Sequence, residues 1–144
     1  MRFSIAFYKA TRPGLQGFYS AGVRLIDHGP YSHCELIFSD GMSASSSFID
    51  GGVRFKAIAY DPAHWDIFEI PDPTGAVERH ARAWFVEHDG DQYDLWGNVH
   101  FVFGFVKDEN GKSFCSEACA AALRYAEPWR YGPNGLAALL KPQP

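Results

Sequence analysis

Tyr31-Ser-His-Cys-Glu-Leu-Ile-Phe38, Met42-Ser-Ala-Ser-Ser-Ser-Phe48 and Val53-Arg-Phe-Lys-Ala-Ile-Ala59 are three strand-length segments, separated by Ser39-Asp-Gly41 and Asp50-Gly-Gly52. Glycine supplies the positive φ that tight hairpin turns need, so the stretch reads as consecutive antiparallel strands. Phe3, Ile5 and Phe7 repeat with period two, and Trp65-Asp-Ile-Phe-Glu-Ile70 has the length and β-branched content of a further strand. An antiparallel meander is therefore expected over the first half. Between its first two strands, Thr11-Arg-Pro-Gly14 breaks the chain. Leu15, Phe18, Val23 and Ile26 then give an approximately helical spacing over 14–27.

The pattern changes after Pro71-Asp-Pro-Thr74. Thr74 is placed to cap a helix running to about His88, with Val77, Ala81, Trp84 and Phe85 inward. Asp94 can cap a second helix over 95–105, and the polar segment 107–112 ends it. Ser113 can cap a third, from Phe114 to about Ala126, which Pro128 stops. Strands first and helices afterwards predict an α+β fold, a curled antiparallel sheet packed on helices. Lys141-Pro-Gln-Pro144 reads as a frayed tail.

The 144 residues suit a single domain spanning 1–144. Hydrophobic residues at 47% and charged residues at 21% exclude a disordered chain, and the 16% aromatic content is enough both to fill a core and to line a pocket. A net charge of -4 gives no general attraction to phosphate backbones, so no nucleic-acid partner is expected. Three cysteines, Cys34, Cys115 and Cys119, are too few and odd in number for a disulfide framework, which fits a reducing compartment. The N-terminal residues alternate where a signal peptide would run apolar residues together, and no apolar run is long enough for a transmembrane segment. A cytoplasmic location is the resulting expectation.

Cys115 is the most suggestive residue. With Ser113 as cap it falls in the first helical turn, where unpaired N–H groups and the positive end of the helix dipole stabilise a thiolate. Cys115 and Cys119 fit equally well as small core residues beside Ala118 and Ala122. A base is available in His33, whose ring titrates near neutrality and is costly to bury inside an apolar strand without a partner. Period two places Glu35 on the same strand face as His33, so its carboxylate can raise the basicity of the ring and hold one tautomer. Ser45 and Ser47 are the alternative orienters, and Asp50 is a poorer one because Asp50-Gly-Gly52 serves as a turn. A three-residue turn at 39–41 sets His33 opposite Ser47, and a two-residue turn sets it opposite Phe48.

The strand histidine in Tyr31-Ser-His-Cys-Glu-Leu36, followed by Gly51-Gly-Val-Arg-Phe-Lys56, Gln92-Tyr-Asp-Leu-Trp-Gly97 and Phe114-Cys-Ser-Glu117, resembles the circularly permuted NlpC/P60 papain-like hydrolases, with YiiX-like and phage-associated members nearest. Histidine before cysteine is the permuted order. The resemblance covers roughly residues 2–126. It implies a permuted papain-like architecture with Cys115 as nucleophile, His33 as general base, Tyr93 as a pocket tyrosine near the thiol, and Ser116 and Glu117 as supports at the helix start. The third catalytic residue of the family has no clear match between Met42 and Phe48.

Three functions compete. The first is a thiol hydrolase acting on an amide or ester carbonyl of a peptide or acyl substrate, with no cofactor. The resemblance points to cell-wall peptide amides, as for a cysteine peptidase or amidase acting on peptidoglycan, and leaves room for a lipid acyl hydrolase or acyltransferase. The second is a metal site built from Cys115, Cys119 and His33. It lacks the second cysteine pair usual in structural zinc sites, so no metal is expected. The third is a non-catalytic binding module on the same scaffold.

Overall fold

The computed structural model describes residues 1–10, 29–47, 50–91 and 114–143. The helices expected over 14–27 and 95–105, the segment 107–112, the Ser113 cap, and Tyr93, Asp94 and Trp96 lie outside the described residues, as does Phe48. Five strands form one antiparallel sheet: β1 (Ser4–Tyr8), β2 (His33–Ile37), β3 (Met42–Ser47), β4 (Gly52–Ala57) and β5 (Trp65–Glu69). Three helices accompany it among the described residues: α1 (Ala76–His88), α2 (Phe114–Ala122) and α3 (Pro133–Leu140). The class is α+β, as the segment order predicts.

The sheet order is β4-β3-β2-β1-β5. The meander holds from β1 to β4, but β5 does not extend it. Instead β5 returns to the opposite edge and pairs with β1, Tyr8 facing Trp65 and Ser4 facing Glu69. The turn between β2 and β3 is the three-residue form: the Phe38 N–H donates to the Met42 carbonyl at 2.9 Å, and Gly41 has φ 89°. That turn sets Leu36 opposite Ala44 and Ile37 opposite Ser43, where the β2–β3 ladder ends. Beyond it, the Ser45 hydroxyl donates to the Cys34 carbonyl at 2.7 Å, where a ladder N–H would otherwise donate.

The two faces of the sheet differ. Phe3, Ile5, Phe7, Cys34, Leu36, Phe38 and Ala44 share one apolar cluster with Ala81 and Phe85 of α1, Cys115, Ala118, Cys119 and Ala122 of α2, and Leu136 of α3. Each large side chain buried there contributes about 1.5–3 kcal/mol. The second face carries a smaller cluster of Ala6, Tyr8, Ile37 and Trp65. There Tyr60 and Tyr8 each meet the Trp65 ring edge-on at 5.0 Å.

Three expectations about the helices need correction. Thr74 is not the cap of α1, because Gly75 takes that position in a left-handed conformation (φ 69°). Asp72 Oδ2 accepts from the Glu78 N–H at 2.8 Å, while Thr74 Oγ1 accepts from the Ala76 N–H at 3.3 Å. Next, α2 ends at Ala122 rather than about Ala126, and Pro128 does not stop it. Arg124 turns left-handed (φ 66°), the Tyr125 N–H reaches back to the Ala120 carbonyl, and the Arg124 N–H to that of Ala121. This is the double closure of a helix C-terminus that glycine normally makes. Pro128 opens a short 3-10 turn, Pro128–Arg130.

Finally, α3 was not expected. Pro133 is its first residue, where a missing N–H costs nothing. The side chain of Asn134 ties the helix to the strand entry: Oδ1 accepts from the Tyr31 N–H and Nδ2 donates to the Tyr31 carbonyl, both at 2.9 Å. Gly29 sits so close to the Asn134 side chain that a β-carbon there would collide with it. This anchor fixes the approach to His33.

Candidate active site

His33 opens β2, and Glu35 follows on the same face of the strand. Their side chains meet, with His33 Nε2 and Glu35 Oε1 2.7 Å apart. Glu35 is 1% exposed, so an ionised carboxylate there must be paired. The second partner comes from β4. Arg54 Nη1 donates to Glu35 Oε2 at 2.7 Å, and Nη2 donates to Glu35 Oε1, a two-pronged contact that fixes the plane of the carboxylate. Arg54 Nε donates to Asp50 Oδ2 at 2.8 Å, and Lys56 Nζ donates to Asp50 Oδ1 at 3.3 Å.

The sheet register explains how Arg54 reaches across. Ala6 pairs with Glu35, and Arg54 pairs with Ser45 on the intervening strand. Ser45 is fully buried and small, so the arginine side chain can extend over it to Glu35. Val53 and Phe55 pack against the helix-side cluster, which leaves Arg54 to the opposite face.

Cys115 is the second residue of α2, in the turn whose leading N–H groups lack helical partners. The helix packs on β2 and β3. The Cys115 thiol is hydrogen-bonded to the His33 ring. Two residues 82 positions apart in the chain are therefore neighbours. Cys34, on the helix side of β2, brings a second thiol against Cys115 and Cys119, and all three cysteines are buried and reduced.

The electrostatics follow from these contacts. Burial alone would lower the affinity of His33 for its proton. The negative charge of Cys115, the hydrogen bond to it and the bond to Glu35 outweigh that, and the ring is pushed up to about 10. Burial tends to raise Glu35, but the bonds from Arg54 and then His33 hold it below its ordinary value. Burial, with hydrogen bonds to Cys115 and Cys119, pushes the Cys34 thiol well up. Asp50, Arg54, Glu35 and His33 thus form a row of alternating charge that ends against Cys115. Trp65 flanks it, its ring edge-on to His33 at 6.3 Å.

Of the orienters the sequence offers, Glu35 is hydrogen-bonded to the imidazole, and Asp50 pairs with Arg54. Ser45 directs its hydroxyl to the Cys34 carbonyl, and Ser47 ends β3 opposite Gly52. Ser116 is fully buried, and Glu117 is half-buried in the first turn of α2. Tyr93 lies outside the described residues. Among the described residues, no three histidine, cysteine or acidic side chains are disposed to hold a metal ion, and no helix is long and apolar enough to cross a membrane.

Arg54 and the part played by Asp50 were not read from the sequence. The available signal was period two in Val53-Arg-Phe-Lys56, which puts Arg54 on the face opposite Val53 and Phe55. That face becomes the one bearing Glu35 only once the register across β3 is known. Comparisons with protein-family models, curated proteins and solved structures give no match for this chain.

Proposed function

We propose that this chain is a thiol hydrolase that cleaves an amide or ester carbonyl through Cys115 and His33, on a permuted papain-like scaffold of the NlpC/P60 type. The observation that carries the reading is the contact between the Cys115 thiol, in the first turn of α2, and a His33 ring that is also held by a buried carboxylate. A buried apolar cysteine has no need of that arrangement. A nucleophile does, because the thiolate is the reactive form and imidazolium beside it stabilises the charge.

In this reading the proton has already moved from sulfur to His33 before substrate arrives. Cys115 sulfur attacks the carbonyl carbon, and the first-turn N–H groups of α2 donate to the developing oxyanion, a stabilisation of about 2.7–4 kcal/mol for one such donor. His33 passes its proton to the leaving amine or alcohol, and the C–N or C–O bond breaks to give the thioester. The neutral ring then takes a proton from water, hydroxide adds to the thioester, and the acid departs as the thiolate–imidazolium pair reforms. Glu35 keeps the ring in place throughout and remains ionised.

Peptide amides of the bacterial cell wall are the proposed substrate class, with lipid esters and amides next, since both suit acyl transfer to a thiolate. The test is a panel of acyl probes and cell-wall peptides with trapping of the thioester by mass spectrometry. Turnover and an adduct on Cys115 are expected for the wild type, and neither for Cys115→Ala or His33→Ala. Ligand binding that survives Cys115→Ala unchanged, with no adduct on any probe, would replace the hydrolase with a binding module.

A further inference from the structure

Arg54 reaches from β4 to the buried carboxylate that holds His33. Its fork grips both oxygens of the Glu35 carboxylate, and its third nitrogen is held by Asp50. A surface arginine pair is worth little, but this one ends on a carboxylate that is 1% exposed. We propose that Arg54, steadied by Asp50, is the positioning residue of this site: it keeps Glu35 ionised and turned so that the His33 ring is presented to Cys115. The inference rests on the thiol-hydrolase reading and makes the reactivity of the sulfur depend on a side chain two contacts away from it.

The groups that bear on the pair come from every element around it. On β2 these are Glu35 and Cys34, on β4 Arg54 and Lys56, and in the turn between β3 and β4 Asp50. Tyr60, which follows β4, senses the charges of Glu35 and Arg54, and α2 contributes Cys115 and Cys119. Apart from His33, Arg54 is the cation in contact with Glu35 among the described residues. Without it, the buried Glu35 carboxylate loses its two-pronged cation and has the Asp50 carboxylate as a near neighbour, and protonation becomes the easier state. A neutral Glu35 no longer favours imidazolium, and the thiolate loses its counter-charge. The two steps push in the same direction, toward a less acidic thiol.

The experiment is alkylation of the full chain by iodoacetamide across a pH series, with Cys115 followed at the peptide level so that Cys34 and Cys119 are scored separately. The Cys115 midpoint is expected to rise by about one pH unit or more in Arg54→Met, with a roughly tenfold slower rate at neutral pH. Arg54→Lys keeps the charge but loses the fork, and an intermediate midpoint is expected. Asp50→Asn loosens the guanidinium without removing it and is expected to give a smaller upward shift. A merely structural arginine would change the melting temperature and leave the midpoint of the folded fraction in place. Should Arg54→Met not fold, Arg54→Lys and Asp50→Asn carry the test. A folded variant with the wild-type midpoint overturns the role of Arg54 and leaves the hydrolase reading standing. A wild-type Cys115 that alkylates like a free thiol overturns the hydrolase reading itself.

Discussion

The two faces of β2 obey different rules. Cys34, Leu36 and, just beyond the strand, Phe38 point into a close-packed apolar cluster against three helices, where what matters is volume and the exclusion of water. His33 and Glu35, interleaved with them, point into a set of ion pairs whose members lose their purpose when one is removed. The apolar face draws its stability from many small contributions and tolerates exchange among similar shapes. The polar face depends on a few contacts that do not substitute for one another. Period two thus gives one strand an apolar face in the core and a face of buried charge, with Cys115 of the apolar cluster meeting His33.

This contrast can be tested from its strongest end downward. Cys115→Ala and His33→Ala are each expected to reduce turnover by about 10⁴-fold or more with the fold intact, by analogy with the loss of a triad member in other acyl-transfer enzymes. Next comes Glu35→Gln, which keeps the shape but removes the charge between His33 and Arg54. A loss of activity of about 10²–10⁴-fold is expected, together with destabilisation of about 3 kcal/mol in urea titrations, because Arg54 is left partly unpaired in a buried setting. Leu36→Met, the neighbouring residue on the opposite face, is expected to cost less than about 1.5 kcal/mol and to leave kcat unchanged. Equal damage from Glu35→Gln and Leu36→Met would erase the distinction between the faces. The smallest effect is expected at Arg2, whose exposed pairing with Glu69 lies far from both: Arg2→Ala should leave the melting temperature within about 2 °C of wild type.

The pH dependence has a definite sign. Glu35 is held below its ordinary value, so the stability it contributes is present above that ordinary value of 4.5 and is lost as pH falls through the lowered one. Acid unfolding of the wild type is therefore expected to be steeper than that of Glu35→Gln. His33 is pushed up to about 10, and turnover needs its imidazolium form to protonate the leaving group. The alkaline limb of the rate profile is expected near pH 10, whereas an unperturbed histidine would place it near 6.5.

The strands were legible because period two and glycine turns act over a few residues. All five appear within a residue or two of where Phe3, Ile5 and Phe7, Ser39-Asp-Gly41 and Asp50-Gly-Gly52 place them. The partner of β5 was not legible: which edge a strand returns to is decided by the faces available for burial, and the sequence carries no local mark of that. The helix at Pro133 was hidden because Gly132-Pro-Asn-Gly135 reads as a breaker, although proline and an extended glycine are compatible with a helix start. The end of α2 was hidden because Arg124 takes a conformation normally left to glycine. At the site, His33 and Glu35 were found from one strand, while Arg54 needed the register of three.

The central claim is that Cys115 and His33 form an ion pair at rest, and the pH profile of Cys115 alkylation in the wild-type chain tests it most directly. A midpoint well below pH 8 that moves up toward the ordinary cysteine value of about 8.5 in His33→Ala is the predicted result. A wild-type midpoint already at that ordinary value, unchanged by loss of the histidine, would contradict it.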